Sequence, residues 1–115
     1  MAVRTLEKSE WHGYFDRVSR ALLGKRAEIE VASLELGDQI EAEWVPILGI
    51  TYDQKDDVLD IVLLGLDHLI PKPRQIFVDE GLTGSTSLEV VDHAGVRHIV
   101  QLREPLMLPA PSSAR

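Results

Sequence analysis

The chain has 115 residues, a net charge of −7 and no cysteine. That length suits one domain with its own core, and the missing cysteines exclude disulfides and thiolate metal sites. The longest apolar run, Ile61-Val62-Leu63-Leu64-Gly65-Leu66, is far short of the roughly 20 residues of a membrane span, and Met1 to Lys8 shows no leader, so a cytoplasmic protein without membrane contact is expected.

Charge is unevenly spread. Residues 1–27 carry +3, residues 28–67 carry −10 and residues 68–115 are neutral. An acidic middle repels phosphate backbones, so nucleic acid is not an expected partner. Acids on the solvated face of strands keep such a chain soluble.

In chain order, the first predicted element is a helix. Ser9 is placed as N-cap and Glu10 lies in the first turn, where the helix dipole favours an anion. Trp11, Tyr14, Phe15, Val18 and Leu22 follow at helical spacing and form one apolar stripe. Gly24 is placed to end the helix. From Glu28 the period becomes two, with a phase slip near Ala32-Ser33 that a β-bulge would explain, then a turn at Leu36-Gly37-Asp38. Ile40, Ala42 and Trp44 alternate with Glu41 and Glu43, and Pro46 is expected to end that strand or mark an edge. Trp11 and Trp44 both read as core anchors.

Ile50-Thr51-Tyr52 and Val58 to Leu63 flank a polar loop and predict a hairpin with Leu59, Ile61 and Leu63 facing the core. Leu64 to Ile70 reads equally as strand or helical turn. Gln75 to Asp79 predicts a strand, and Gly81 to Ser85 a loop. Asp92-His93-Ala94-Gly95 predicts a turn between strands that place Leu88, Val90, Val100 and Leu102 on one face. Residues 1–104 are expected to form one domain, and residues 105–115, rich in Pro, Ala and Ser, a disordered tail. The class is α+β: an N-terminal amphipathic helix on a curved antiparallel meander of about six strands. Closure into a small SH3- or Sm-like barrel is the alternative.

Asp53, Asp56, Asp57 and Asp60 form the densest carboxylate cluster and are the candidate metal ligands, since hard cations take oxygen donors. Lys55 inside the cluster breaks the pattern of a calcium loop, and aspartates also serve turns for local hydrogen bonding. Glu28, Glu30, Glu41 and Glu43 lie on neighbouring strands and are read as solvated. Among His12, His68, His93 and His98 no pair has the spacing of a zinc-binding helix. His98 shares parity with core positions and is expected at the core margin, one ring nitrogen bonded to a carbonyl or to Asp92. Gly81-Leu82-Thr83-Gly84-Ser85 lacks the lysine of a phosphate-binding loop, and no nucleophile elbow is present.

Three stretches together carry a resemblance: Glu10-Trp11 with Tyr14-Phe15 and Ser19, Gly49-Ile50-Thr51-Tyr52-Asp53-Gln54-Lys55-Asp56-Asp57, and Asp92-His93-Ala94-Gly95. They resemble a family of short bacterial proteins known only as a domain of unknown function, over most of residues 6–103. Here Ala94-Gly95-Val96 replaces the family's more usual acidic-Gly-Thr turn. The resemblance implies a free-standing small protein and supplies no activity, so no catalytic residue is carried over and no cofactor is expected. The reading is a non-enzymatic binding or accessory module that acts on a protein partner or a second copy of itself. The alternatives are a metal-assisted hydrolase or isomerase using Asp53, Asp56 and Asp57, with His68 beside them, and an Sm-like RNA-binding module.

Overall fold

The computed structural model describes residues 3–80 and 86–103. The loop expected at 81–85 and the tail expected from 105 lie outside them. Helix α1 (Trp11–Ala21) is entered through a 3-10 turn at Lys8–Glu10. Ser9 is not its cap. The Glu7 N–H donates to the Glu10 carboxylate at 2.8 Å, and the Glu10 N–H donates to the Glu7 carbonyl at 2.9 Å. A glutamate reaching back three residues satisfies the first orphan donors, so helical structure starts two residues before the position that the serine indicates. Gly24, at φ +86°, ends it as expected.

The eight strands are β1 (Val3–Thr5), β2 (Arg26–Ser33), β3 (Gly37–Asp53), β4 (Val58–Leu63), β5 (Leu66–Pro71), β6 (Pro73–Glu80), β7 (Thr86–Asp92) and β8 (Arg97–Arg103). They form one sheet in the order β1-β6-β7-β8-β2-β3-β4-β5, antiparallel at every step. About six strands were expected. The additions are β1, too short to show a period, and β5, which resolves the ambiguous Leu64 to Ile70 run as strand. No ladder joins β1 to β5, so the sheet stays open and the SH3- or Sm-like barrel is not formed.

The strand β3 is 17 residues long and has two partners. Gly37 to Pro46 pairs with β2, and Ile47 to Asp53 pairs with β4. Pro46 therefore marks the handover instead of ending the strand. It has no N–H to offer, and the Leu64 N–H donates to its carbonyl at 2.9 Å. The register slips not at Ala32-Ser33 but twice between Ala27 and Glu30: Glu43 and Trp44 stand against Glu28, and Glu41 is extra between Ala42 and Ile40. Trp44 sits at φ +51°, a region that costs a non-glycine residue roughly 1–2 kcal/mol. The bulge leaves Trp44 half-buried beside Arg103, so it is no core anchor. Trp11 is one, at 1% exposure, with its ring edge-on to Tyr52 and its Nε1–H bonded to the Leu6 carbonyl at 3.2 Å.

After Pro46 the side of β3 that β2 occupied is vacant, and α1 fills it. The Ser19 hydroxyl donates to the Ile50 carbonyl at 2.8 Å and accepts from the Ile50 N–H at 2.9 Å. One side chain thus stands in for a missing strand partner. A Cβ built on Gly49 would meet the Ser19 Oγ at 3.5 Å, an ordinary contact, so the approach does not depend on glycine there. The apolar stripe of α1 packs on β3 and joins one buried cluster that includes Leu59, Ile61, Leu63, Leu88, Val90, Val100 and Leu102. Both predicted hairpins have their expected faces.

Ser19→Ala is expected to leave both Ile50 groups unpaired at a half-buried edge and to lower stability by about 2 kcal/mol. Urea unfolding measures this; a loss well under about 0.5 kcal/mol would remove the helix-as-strand account.

Candidate functional site

The aspartate cluster is a turn. The Asp53 Oδ1 accepts from the N–H groups of Lys55 (2.9 Å) and Asp56 (3.2 Å). The Asp57 Oδ1 accepts from the Tyr52 hydroxyl at 2.7 Å. Burial, and then that hydrogen bond, push the Tyr52 phenol up to about 12. Asp60 points elsewhere, toward Asp67. Burial first, and the neighbouring Asp67 second, raise its carboxyl above the ordinary value, and its Oδ1 is buried without a partner. Among the described residues no three His, Asp or Glu side chains gather as a metal would require. Of the four strand glutamates, Glu30 is tied to Asp38, whose hydrogen bond raises its carboxyl most.

Two of the four histidines do come together. The Asp92 Oδ1 accepts from the N–H groups of Ala94 (2.9 Å) and Val96 (3.1 Å), which shapes the β7–β8 turn. Its other oxygen meets the His98 Nε2 at 3.0 Å, as the parity of β8 indicates. The His98 Nδ1 then meets the His68 Nε2 at 2.9 Å, across from β8 to β5. The carboxylate accepts, so the His98 Nε2–H donates to Asp92, and one proton lies between the His98 Nδ1 and the His68 Nε2. Three hydrogen bonds, from His98, Val96 and Ala94, outweigh burial and hold the Asp92 carboxyl below the usual range. His68 was missed as a partner because its strand was ambiguous; the alternation of Leu66, His68 and Ile70 is the signal that carries it.

A second hollow lies along the α1–β3 seam. A cavity of about 120 Å³ is lined by His12, Asp16, Ser19, Ile50, Thr51 and Tyr52. Serine, histidine and aspartate in one groove invite a hydrolytic reading. The bonding opposes it: the Ser19 proton is given to the Ile50 carbonyl and its lone pair taken by the Ile50 N–H. The His12 Nδ1–H turns to the Tyr52 carbonyl at 3.3 Å. A nucleophile needs a base on its hydroxyl proton, and here that proton is structural. His93 is exposed in its turn, as expected. Among the described residues no helix is long and apolar enough to cross a membrane.

The model of a family described as "Family of unknown function (DUF5335)" matches residues 2–111. A relative from Aquifex aeolicus (strain VF5), described as "Uncharacterized protein", is 41% identical over 110 residues, 95% of this chain and 99% of the relative. No solved structure matches the chain.

Burial, then the charge of His98, hold His68 below its ordinary 6.5 against the pull of Glu41. The unfolded chain therefore binds that proton more readily than the folded one. Stability is expected to be level above pH 6.5 and to fall as the pH drops from there toward the lowered folded value. Asp92 adds a separate loss as the pH falls from 3.8 through its own lowered value. Urea unfolding across the pH range reads both. His68→Gln should flatten the first decline and leave the second; an unchanged first decline would show that His68 does not cause it.

Proposed function

The chain belongs to this family of unknown function, which brings no activity with it, and from the geometry we propose a non-enzymatic binding module that pairs with a second copy of itself along β5. The carrying observation is the state of the two sheet edges. At one end β1 is three residues long and carries Arg4, which blunts it. At the other, β5 runs six residues with only β4 beside it among the described residues. Leu66 and Leu69 on it are 46% and 56% exposed, and Leu64 just before it is 62% exposed. A strand edge with exposed leucines and no partner among the described residues is a ready template for another strand.

Self-pairing suits the charges. In a two-fold antiparallel pair centred on Leu69, Asp67 falls opposite Pro71 of the copy. No acid then faces its own image, which is what a symmetric interface requires. The acids that would serve a hydrolase are occupied in a turn, and the −10 middle disfavours RNA. A cysteine-free chain is suited to a reducing cytoplasm.

Light scattering on a sizing column at roughly 100 μM should give twice the 12.9 kDa chain mass. Leu69→Lys, a change at an exposed position, should return the monomer with unchanged circular dichroism. A monomeric parent protein, or a dimer untouched by Leu66→Lys and Leu69→Lys together, would refute edge pairing.

A further inference from the structure

The outer face of the sheet, where β2 lies between β3 and β8, holds an arrangement that the rest of the fold does not explain. Arg26 and Arg103 stand directly opposite each other in the β2–β8 register. Like charges so placed repel. In a chain of net charge −7 the expected remedy is a carboxylate, and elsewhere the fold supplies one. Arg4 meets Glu10 at 3.3 Å, and Arg97 meets Glu89 through two bonds of 2.8 and 3.0 Å. Among the described residues neither Arg26 nor Arg103 has an acidic partner. Glu28, two residues along the same face of β2, pairs with neither.

Their other contacts point the same way. Arg26 gives one N–H to the Trp44 carbonyl at 3.1 Å. Arg103 lies over the Trp44 ring at 3.8 Å, and its Nε is buried with no hydrogen-bond partner. A guanidinium that uses its face to stack keeps its in-plane N–H donors for other partners. The platform is the strained residue of the β3 bulge, held at φ +51° where glycine would sit without penalty. Opposed cations without an acid, an orphaned donor and a strained aromatic residue thus meet at one place.

We propose that Arg26 and Arg103, set by Trp44, form a binding site for a small oxyanion, a phosphate or a carboxylate group. A guanidinium fork matches the oxygens of such a group, and the charge of the group removes the repulsion between two arginines opposed in the β2–β8 register. The site lies on β2, β3 and β8, so it stands apart from pairing at β5.

The test titrates the full-length protein with inorganic phosphate, and in a separate arm with acetate, each against chloride at matched ionic strength. Phosphate at about ten times its Kd should raise Tm by roughly 5 °C and change the fluorescence of the half-buried Trp44. Arg103→Gln should weaken binding at least about tenfold, and Arg103→Lys should recover only part, since an ammonium keeps the charge but not the fork. Arg17→Gln, on the helix, should change neither readout. If Arg26→Gln unfolds the chain, Arg103→Gln and the parent titration still decide. A response to acetate alone supports the site and assigns it to carboxylates. No response to either ion up to about 20 mM, or equal responses in the parent and Arg103→Gln, would overturn the proposal.

Discussion

The arrangement depends on a single strand that changes partner partway along. A β-strand has two hydrogen-bonding edges, and each half of β3 uses a different one: β2 up to Pro46, then β4. Each half therefore leaves one edge open. An open edge inside a small protein exposes unpaired backbone groups to a partly dry environment. Ser19 closes it for the second half by presenting a donor and an acceptor to the same residue, Ile50. That pair of bonds fixes where α1 lies, and α1 carries Trp11 and Phe15, each 1% exposed, into the core. The position of the helix is thus set by polar bookkeeping at a sheet edge, and apolar packing follows from it.

The acids divide into those that shape the chain and those that water holds. Asp53, Asp57 and Asp92 accept backbone or phenol protons at turns, which explains why the two hairpins form where they do. The strand glutamates lie on faces that α1 does not cover, so an excess of negative charge in residues 28–67 coexists with a dry interior. The same excess makes the pair Arg26 and Arg103 stand out, because among the described residues no acid meets either guanidinium.

Much of the fold was legible because its signals are local. The stripe of α1, the Tyr52 to Val58 hairpin and the parity of Leu88, Val90, Val100 and Leu102 follow from periods of 3.6 and 2, which backbone geometry imposes. The handover at Pro46 was not legible. Proline there reads as a strand end unless the second partner is known, and pairing partners are tertiary facts. Trp44 misled for a related reason: its parity places it inward, and only the bulge, with φ +51°, turns it beside Arg103. The polar chain was half legible. Asp92 and His98 are six residues apart and share a hairpin, whereas His68 joins from thirty residues away on a strand whose sequence, Leu-Asp-His-Leu-Ile-Pro, carries too few turn signals at its start.

That chain of Asp92, His98 and His68 raises the question of why a core margin keeps polar groups where leucine would pack. Among the described residues β5 has only β4 beside it, and one-sided pairing specifies register weakly wherever both faces tolerate leucine, as Leu66 and Leu69 do. A slip of one residue would present Asp67 or Leu69 to His98 in place of His68. The first would set two carboxylates on one imidazole; the second would leave the His98 Nδ1 unpaired beside apolar surface. Either alternative costs more than an apolar mismatch would, because an unmet polar group in a dry setting loses its whole hydration. The histidine pair therefore discriminates between registers more sharply than methyl groups can. It holds in place the same strand whose other edge has no partner among the described residues.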